Sequence, residues 1–174
     1  MEEENKKKSK KTDLATYIVI IIIVLLIRSF IVTPVRVNGT SMDTTLHNKE
    51  IMILNKLDYK FSKIKRFDII VLNYNNDKLI KRVIGLPGET LEYKDSSLFI
   101  NGEEIDEYFK NQETEDFNIA DIGYDVIPND CYFVLGDNRK DSLDSRIFGC
   151  VDKDDILGSA NLVVYPFKDF GIKK

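Results

Sequence analysis

Two spacings of apolar positions divide the chain. From Leu14 to Val32 the sequence LATYIVIIIIVLLIRSFIV is almost continuously apolar and carries one charge, Arg28. At 1.5 Å per residue, about 19 helical residues span roughly 28 Å, close to the hydrocarbon thickness of a bilayer. Isoleucine and valine would also suit a buried strand, but strands rarely exceed about ten residues. A cleavable secretory segment has a shorter apolar core, followed by small residues at the third and first positions before the cut. The stretch Phe30-Ile31-Val32-Thr33-Pro34-Val35 offers none. The pattern predicts an uncleaved transmembrane helix over 14–32 that ends at Pro34, with Arg28 snorkelling to the headgroups at its far end.

After Pro34 the period shortens. Val35 and Val37 alternate with Arg36 and Asn38, as in a half-buried strand. Short apolar runs recur at 50–54, 67–72, 79–84, 132–135 and 162–165. Leu86-Pro87-Gly88-Glu89 is turn chemistry, and Asn101-Gly102 between apolar runs is a strong hairpin signal. The segment 103–125 is acidic and weakly patterned, and reads as a surface excursion or lid-like loop. Many short strands with turns between them predict a mainly β fold: a twisted antiparallel sheet or barrel-like domain on a single N-terminal transmembrane helix. Three parts follow: a basic disordered tail over 1–13, the anchor over 14–32, and a β-rich domain over 33–174.

Charge orients this arrangement. Lys6, Lys7, Lys8, Lys10 and Lys11 precede the apolar run, and only Arg28 and Arg36 lie close to its far end. The positive-inside rule then puts the N-terminus in the cytoplasm and the β domain outside the cell membrane. A net charge of −4 argues against nucleic acid as a partner. No C-x-x-C and no Cys/His cluster suggests a structural metal site. The two cysteines, Cys131 and Cys150, flank a polar loop. They form a disulfide if the strands carrying them pair across it, and are two small buried hydrophobes otherwise.

Candidate chemistry begins with Ser41, in Gly39-Thr40-Ser41-Met42. On its own it is an ordinary loop serine. The one histidine, His47, follows it closely, but a triad usually draws its base from elsewhere in the fold, and His47 reads as a polar loop residue. Lys81 is the better base. It lies in the apolar run Leu79 to Ile84, where strand alternation sends Lys81 and Val83 one way and Ile80, Arg82 and Ile84 the other. Burial there would lower its pKa and leave a neutral amine that can accept a proton. A solvent-facing strand lysine is the plain alternative. A third cluster, Asp137-Asn138-Arg139-Lys140-Asp141-Ser142-Leu143-Asp144-Ser145-Arg146, reads either as a polar loop whose carboxylates pair with its own arginines or as the support of a site.

Taken together and in order, the Ser41 stretch, Lys81-Arg82-Val83-Ile84-Gly85-Leu86-Pro87-Gly88 and Leu135 to Arg146 resemble the motif boxes of bacterial type I signal peptidases of the short, single-anchor kind. The resemblance runs from the anchor to about Gly158. It implies a mostly antiparallel β fold, no metal and no cofactor. Ser41 would be the nucleophile, Lys81 the general base and Ser142 the group that orients the lysine. Asp144 and Arg146 would form an ion pair near the site, with Asp137 supporting the loop. The partners implied are preproteins cut after small residues and membrane lipid, and a monomer is expected. The substrate would add as a strand, with shallow pockets lined partly by Val35, Val37 and Met42. Two positions depart from the family. Thr44 stands where proline is usual, and Gly39 replaces a serine that helps bind the oxyanion in some members. That leaves the Ser41 N–H, with the Gly39 backbone or water, for this task. Self-cleaving Ser/Lys repressors resemble the same fold but carry a DNA-binding domain and no anchor. A degenerate anchored scaffold would not need both Ser41 and Lys81.

Overall fold

The computed structural model describes residues 2–109 and 111–173, with side chains described from residue 15 onward. A long helix, α1 (Glu2–Phe30), leads into twelve short strands among the described residues. These are β1 (Val32–Arg36), β2 (Ile51–Asn55), β3 (Ile69–Tyr74), β4 (Asp77–Gly85), β5 (Leu91–Lys94) and β6 (Ser97–Ile100). They continue as β7 (Glu103–Ile105), β8 (Phe117–Asn118), β9 (Cys131–Leu135), β10 (Val151–Asp152), β11 (Ile156–Tyr165) and β12 (Gly171–Ile172). The larger sheet runs β1-β2-β11-β3-β4-β9-β10, with β12 beside β11, and the smaller runs β7-β6-β5-β8. Every pairing is antiparallel.

The continuous apolar run in β3 has a simple cause. Ile69 and Val71 pack into one core with Leu54, Met52 and Val163, while Ile70 and Leu72 pack into another with Val83, Val134 and Ile64. A central strand covered on both faces needs no polar alternation. The predicted Asn101-Gly102 turn joins β6 to β7 with both residues at positive φ, +52° and +81°. Asn75-Asn76 and Asp95-Ser96 do the same for β3–β4 and β5–β6. The Asx residues tolerate this region by bonding to nearby backbone. Cys131 opens β9, Cys150 precedes β10, and the two strands pair across the intervening loop. The cysteines form a disulfide with their Cα atoms 5.8 Å apart.

Several boundaries differ from the sequence expectations. The stretch expected to be a disordered tail is helical from Glu2 onward. Glutamate and lysine are good helix formers, and each of Glu2, Glu3 and Glu4 precedes a lysine by four positions. Met1 lies outside the described residues. The helix ends at Phe30 rather than at Pro34. Pro34 sits in the middle of β1 opposite Ile53, and β1 is an edge strand of its sheet, where a missing N–H is tolerated. Among the described residues no helix is long and apolar enough to cross a membrane. The described side chains of α1 are nevertheless apolar and uncovered, with Tyr17 to Ile27 between 42% and 63% exposed.

The largest correction concerns 103–125. It is not a loop lying over the surface. It supplies β7 and β8, and it buries Phe109, Thr114 and Ile119. Phe109 and Ile119 join the core formed by Tyr93, Leu98, Phe133 and Leu135. The Phe109 ring lies under the Arg82 guanidinium, 3.9 Å from its centroid. The acidic residues between them masked the two apolar anchors, because strands of two or three residues are too short to show a period. Phe109→Ala should therefore lower stability by about 3–5 kcal/mol, as for other buried phenylalanines. A solvated lid residue would change it by less than about 0.5 kcal/mol. Urea unfolding of the detergent-solubilised protein, followed by circular dichroism, distinguishes the two.

Candidate active site

The Ser41 turn is built on its own backbone and then tied to a distant loop. Gly39 takes φ +95°, which glycine adopts without cost. The Asp43 N–H donates to the Thr40 carbonyl at 2.8 Å, and the Leu46 N–H to the Met42 carbonyl at 2.8 Å. Met42 and Leu46 are buried, so the turn is pinned to the core on either side of Asp43. From the other direction, the Asn138 N–H donates to the Ser41 carbonyl at 3.0 Å and Asn138 Nδ2 to the Thr40 carbonyl at 3.1 Å. The Thr40 hydroxyl donates to Asp141 at 2.7 Å.

Lys81 reaches this turn from β4. Its Nζ lies 2.7 Å from Ser41 Oγ in a hydrogen bond, and its side chain is almost wholly inaccessible, 1% exposed. Burial lowers its pKa from the ordinary 10.5 to about 8. The carboxylates of Asp144 and Asp137 pull the other way, and Arg146 adds a smaller lowering. Its neighbour Arg82 leaves β4 for a different partner. The guanidinium donates to Asp137 through Nε at 2.8 Å and Nη2 at 2.6 Å, and to the Phe67 carbonyl at 2.9 Å, with both charged side chains wholly buried. The two adjacent basic residues of β4 thus diverge, as strand alternation predicts.

The loop after β9 closes the site. Asp144 accepts from Arg146 Nε at 2.9 Å and Nη2 at 2.8 Å, from the Gly136 N–H at 3.1 Å, and caps the short helix α3 (Ser145–Phe148). Arg139 spans to the small sheet. It donates to Glu107 at 2.7 Å, to Tyr93 Oη at 2.9 Å and to Thr114 Oγ1 at 2.6 Å. Burial pushes the Tyr93 hydroxyl well above its usual pKa. The expectation that the loop's carboxylates pair with its own arginines holds for Asp144 but not for Asp137, whose partner comes from β4. Arg82 was the missed residue, and its place beside Lys81 in the sequence was the available signal. Gly136 was missed as well. A Cβ there would collide with Ser142 Oγ and the Ser41 carbonyl, so only glycine lets the loop approach the serine turn.

The other expected residues are placed as follows. Ser142 Oγ is buried beside Gly136 and has no hydrogen-bond partner, so it is not joined to Lys81. Val37 and Met42 line a cavity of about 40 Å³ next to Ser41, whereas Val35 packs against the core behind it. His47 is exposed and bonds Asp43 at 2.8 Å, not Ser41. That bond holds the Asp43 carboxyl below its usual pKa. The Gly39 N–H donates to Asn48 Oδ1 at 3.3 Å. Among the described residues, no group of three or more His, Cys, Asp or Glu side chains could hold a metal ion.

This geometry can be set against known proteins. Residues 11–165 match the model of the family described as Signal peptidase, peptidase S26. The chain belongs to the signal peptidase family. It is 38% identical over 160 residues to Signal peptidase IB of Staphylococcus aureus (strain Mu50 / ATCC 700699), covering 83% of this chain and 84% of that relative. It is 39% identical over 151 residues to Signal peptidase I of Bacillus amyloliquefaciens, covering 83% and 82%. The crystal structure of a signal peptidase I from Enterococcus faecalis V583 superposes with a TM-score of 0.52 at 41% identity, covering 56% of this chain and 97% of that one. These likenesses favour the signal peptidase expectation over the self-cleaving repressor.

Thr44, where the family pattern has proline, takes φ +96°. Proline is locked near −65°, so this turn could not be built with it. A β-branched residue in this region carries strain of order 1–3 kcal/mol. Thr44→Gly should stabilise the folded protein by up to about 1 kcal/mol, the gain offset by the greater freedom of the unfolded chain. Thr44→Pro should destabilise it by more than about 1 kcal/mol. Urea midpoints of the two variants in detergent read both signs.

Proposed function

We propose that the chain is a membrane-bound serine endopeptidase that removes signal peptides from exported preproteins after small residues, using Ser41 and Lys81. The observation that carries this reading is the 2.7 Å contact between Ser41 Oγ and the buried Lys81 amine. When Lys81 is neutral, the serine hydroxyl donates its proton into the amine's lone pair while Oγ attacks the scissile carbonyl carbon. The carbonyl π electrons move to its oxygen. As the tetrahedral intermediate collapses, the peptide C–N bond breaks and the lysine ammonium gives its proton to the leaving amine. Water then loses a proton to Lys81 as it attacks the acyl-serine carbonyl, and the Oγ–acyl bond breaks as the ammonium returns that proton to Ser41 Oγ. The oxyanion rests on the Ser41 N–H, since the Gly39 N–H already serves Asn48.

Supporting roles follow from the contacts. Asp137 and Arg82 hold the loop to β4, and Asp144 with Arg146 shapes its turn. Ser142 Oγ, buried without a partner, is available to orient the lysine. The small cavity beside Val37 and Met42 suits the side chain of an alanine better than that of a large residue. The apolar, uncovered α1 supports an anchor over 14–32. The lysines before it favour a cytoplasmic N-terminus, with 33–174 as the extracytoplasmic domain.

Because the neutral amine is the working base, peptidase activity on a preprotein should rise with pH through about 8. Ser41→Ala and Lys81→Met should each lose at least about a thousandfold in rate, while His47→Ala stays within about twofold of the parent. A folded Lys81→Met that cut at the parent rate would sink the assignment. Stability and activity share the same sign. Between pH 8 and 10.5 the unfolded chain keeps the lysine proton that the folded chain has lost, so stability rises with pH across that window. Below it the folded state carries the full cost of a buried ammonium, about 3 kcal/mol at about 1.4 kcal/mol per pH unit. Lys81→Met should therefore be more stable at pH 7 by up to about that amount, measured by urea unfolding.

Specificity is tested on the substrate. A preprotein with alanine before the cut should be processed at least about a hundredfold faster than one with phenylalanine there, because the larger ring needs volume the cavity lacks. Mass spectrometry of the products locates the cut, and equal rates for the two would refute the pocket.

A further inference from the structure

A cavity of about 620 Å³ lies where α1 meets the larger sheet. Ser29 and Phe30, the last two residues of the helix, form one wall, and the half-buried Ile156 and Leu157 give apolar surface over the buried Leu54 and Ile64. Three lysines converge on it from separate elements: Lys60 from the short helix α2 (Asp58–Phe61), Lys78 from β4 and Lys153 from the turn after β10. None of the three has a carboxylate within 4.0 Å among the described residues. The one acid in the lining is Asp154. A fourth lysine, Lys56, donates to the Ser29 carbonyl at 2.9 Å, and its N–H donates to the Ile31 carbonyl at 2.9 Å. These bonds satisfy orphan carbonyls at the helix end and fix it to β2.

Scattered surface lysines need no explanation, since each is solvated alone. Three unpaired ammonium groups around one cavity repel one another, and they do so in a chain whose net charge is −4. An anion among them would remove that repulsion. The apolar interior favours an amphiphile over a small inorganic ion. We propose that this cavity binds the phosphodiester headgroup of an anionic phospholipid in the extracytoplasmic leaflet, a site that rests on α1 being a transmembrane anchor. The headgroup phosphate sits among Lys60, Lys78 and Lys153, and the glycerol and upper acyl carbons lie against Phe30 and Leu157. The end of a spanning helix lies at the headgroup level, so the cavity opens where such lipids are concentrated.

The test uses the full-length protein in detergent, titrated with phosphatidylglycerol or phosphatidylcholine and read by native mass spectrometry. The parent should retain phosphatidylglycerol at concentrations at least tenfold below those needed for phosphatidylcholine. Each lysine near a phosphate is worth about fivefold in affinity, so Lys60→Gln/Lys153→Gln should weaken phosphatidylglycerol binding about twentyfold. Lys60→Arg/Lys153→Arg should keep it, which separates charge from fold, and circular dichroism checks both variants. Equal binding of the two lipids, or a glutamine variant with the parent's preference, overturns the proposal. Displacement of phosphatidylglycerol by equimolar inorganic phosphate would make this a free-anion site and overturns the lipid assignment. Carbonate extraction of cell membranes tests the anchor separately. Release of the parent protein sinks both readings, whereas retention without a phosphatidylglycerol preference sinks this one alone.

Discussion

A charge pair without access to water holds the two halves of the site together. Arg82 on β4 and Asp137 in the loop after β9 bond through two N–H groups, and neither side chain is exposed. Such a pair contributes little net stability against an apolar alternative, but breaking it leaves a buried charge uncompensated and costs about 3–5 kcal/mol. The pair therefore acts as a register device. Arg82 can bond Asp137 only when β4 and β9 align with Arg82 opposite Leu135. In that alignment the next residue back, Lys81, meets Ser41, and the next residue on, Asn138, meets the Ser41 carbonyl. One ion pair fixes both sides of the serine turn.

The same proximity sets the chemistry proposed for Lys81. Two carboxylates within electrostatic reach would keep a lysine charged, and burial has to outweigh them for the amine to become neutral near pH 8. Asp137 and Asp144 are each occupied by an arginine, which limits the pull they exert on the lysine. The arginines are thus part of the arrangement that lets a base exist between two acids. Replacing either with a neutral residue would expose Lys81 to a full negative charge and move its pKa upward, away from the working range.

What could be read in the sequence divides along physical lines. Length and apolar content marked the helix, two-residue turns such as Asn101-Gly102 marked a hairpin, and motif order brought Ser41 and Lys81 under one hypothesis. Features that depend on contacts between distant segments were illegible. The partner of Asp137 lies 55 positions away, and no local pattern selects Arg82 over Arg139 or Arg146. Gly136 carried no sequence signal of its own, although its missing side chain admits the Ser41 carbonyl. The run 103–125 looked polar because its buried members, Phe109, Thr114 and Ile119, are isolated among acids. Thr44 looked like a mild loss of rigidity, whereas its φ of +96° marks a turn of a different shape from one that proline permits.

The acidic segment also explains why the small sheet belongs to the site at all. Glu107 from that segment, Thr114 from the same segment and Tyr93 from β5 all converge on the Arg139 guanidinium. Arg139 Nε donates to the Gly136 carbonyl at 3.1 Å, and the Arg139 carbonyl accepts from Arg146 at 2.8 Å. Gly136 in turn donates to Asp144. The loop beside Ser41 is therefore clamped from both sheets, by Arg82 from the larger and by Arg139 through the smaller. A loop held from one side could swing about its anchor. Held from two directions by buried charges, it fixes the distance between Ser41 and Lys81.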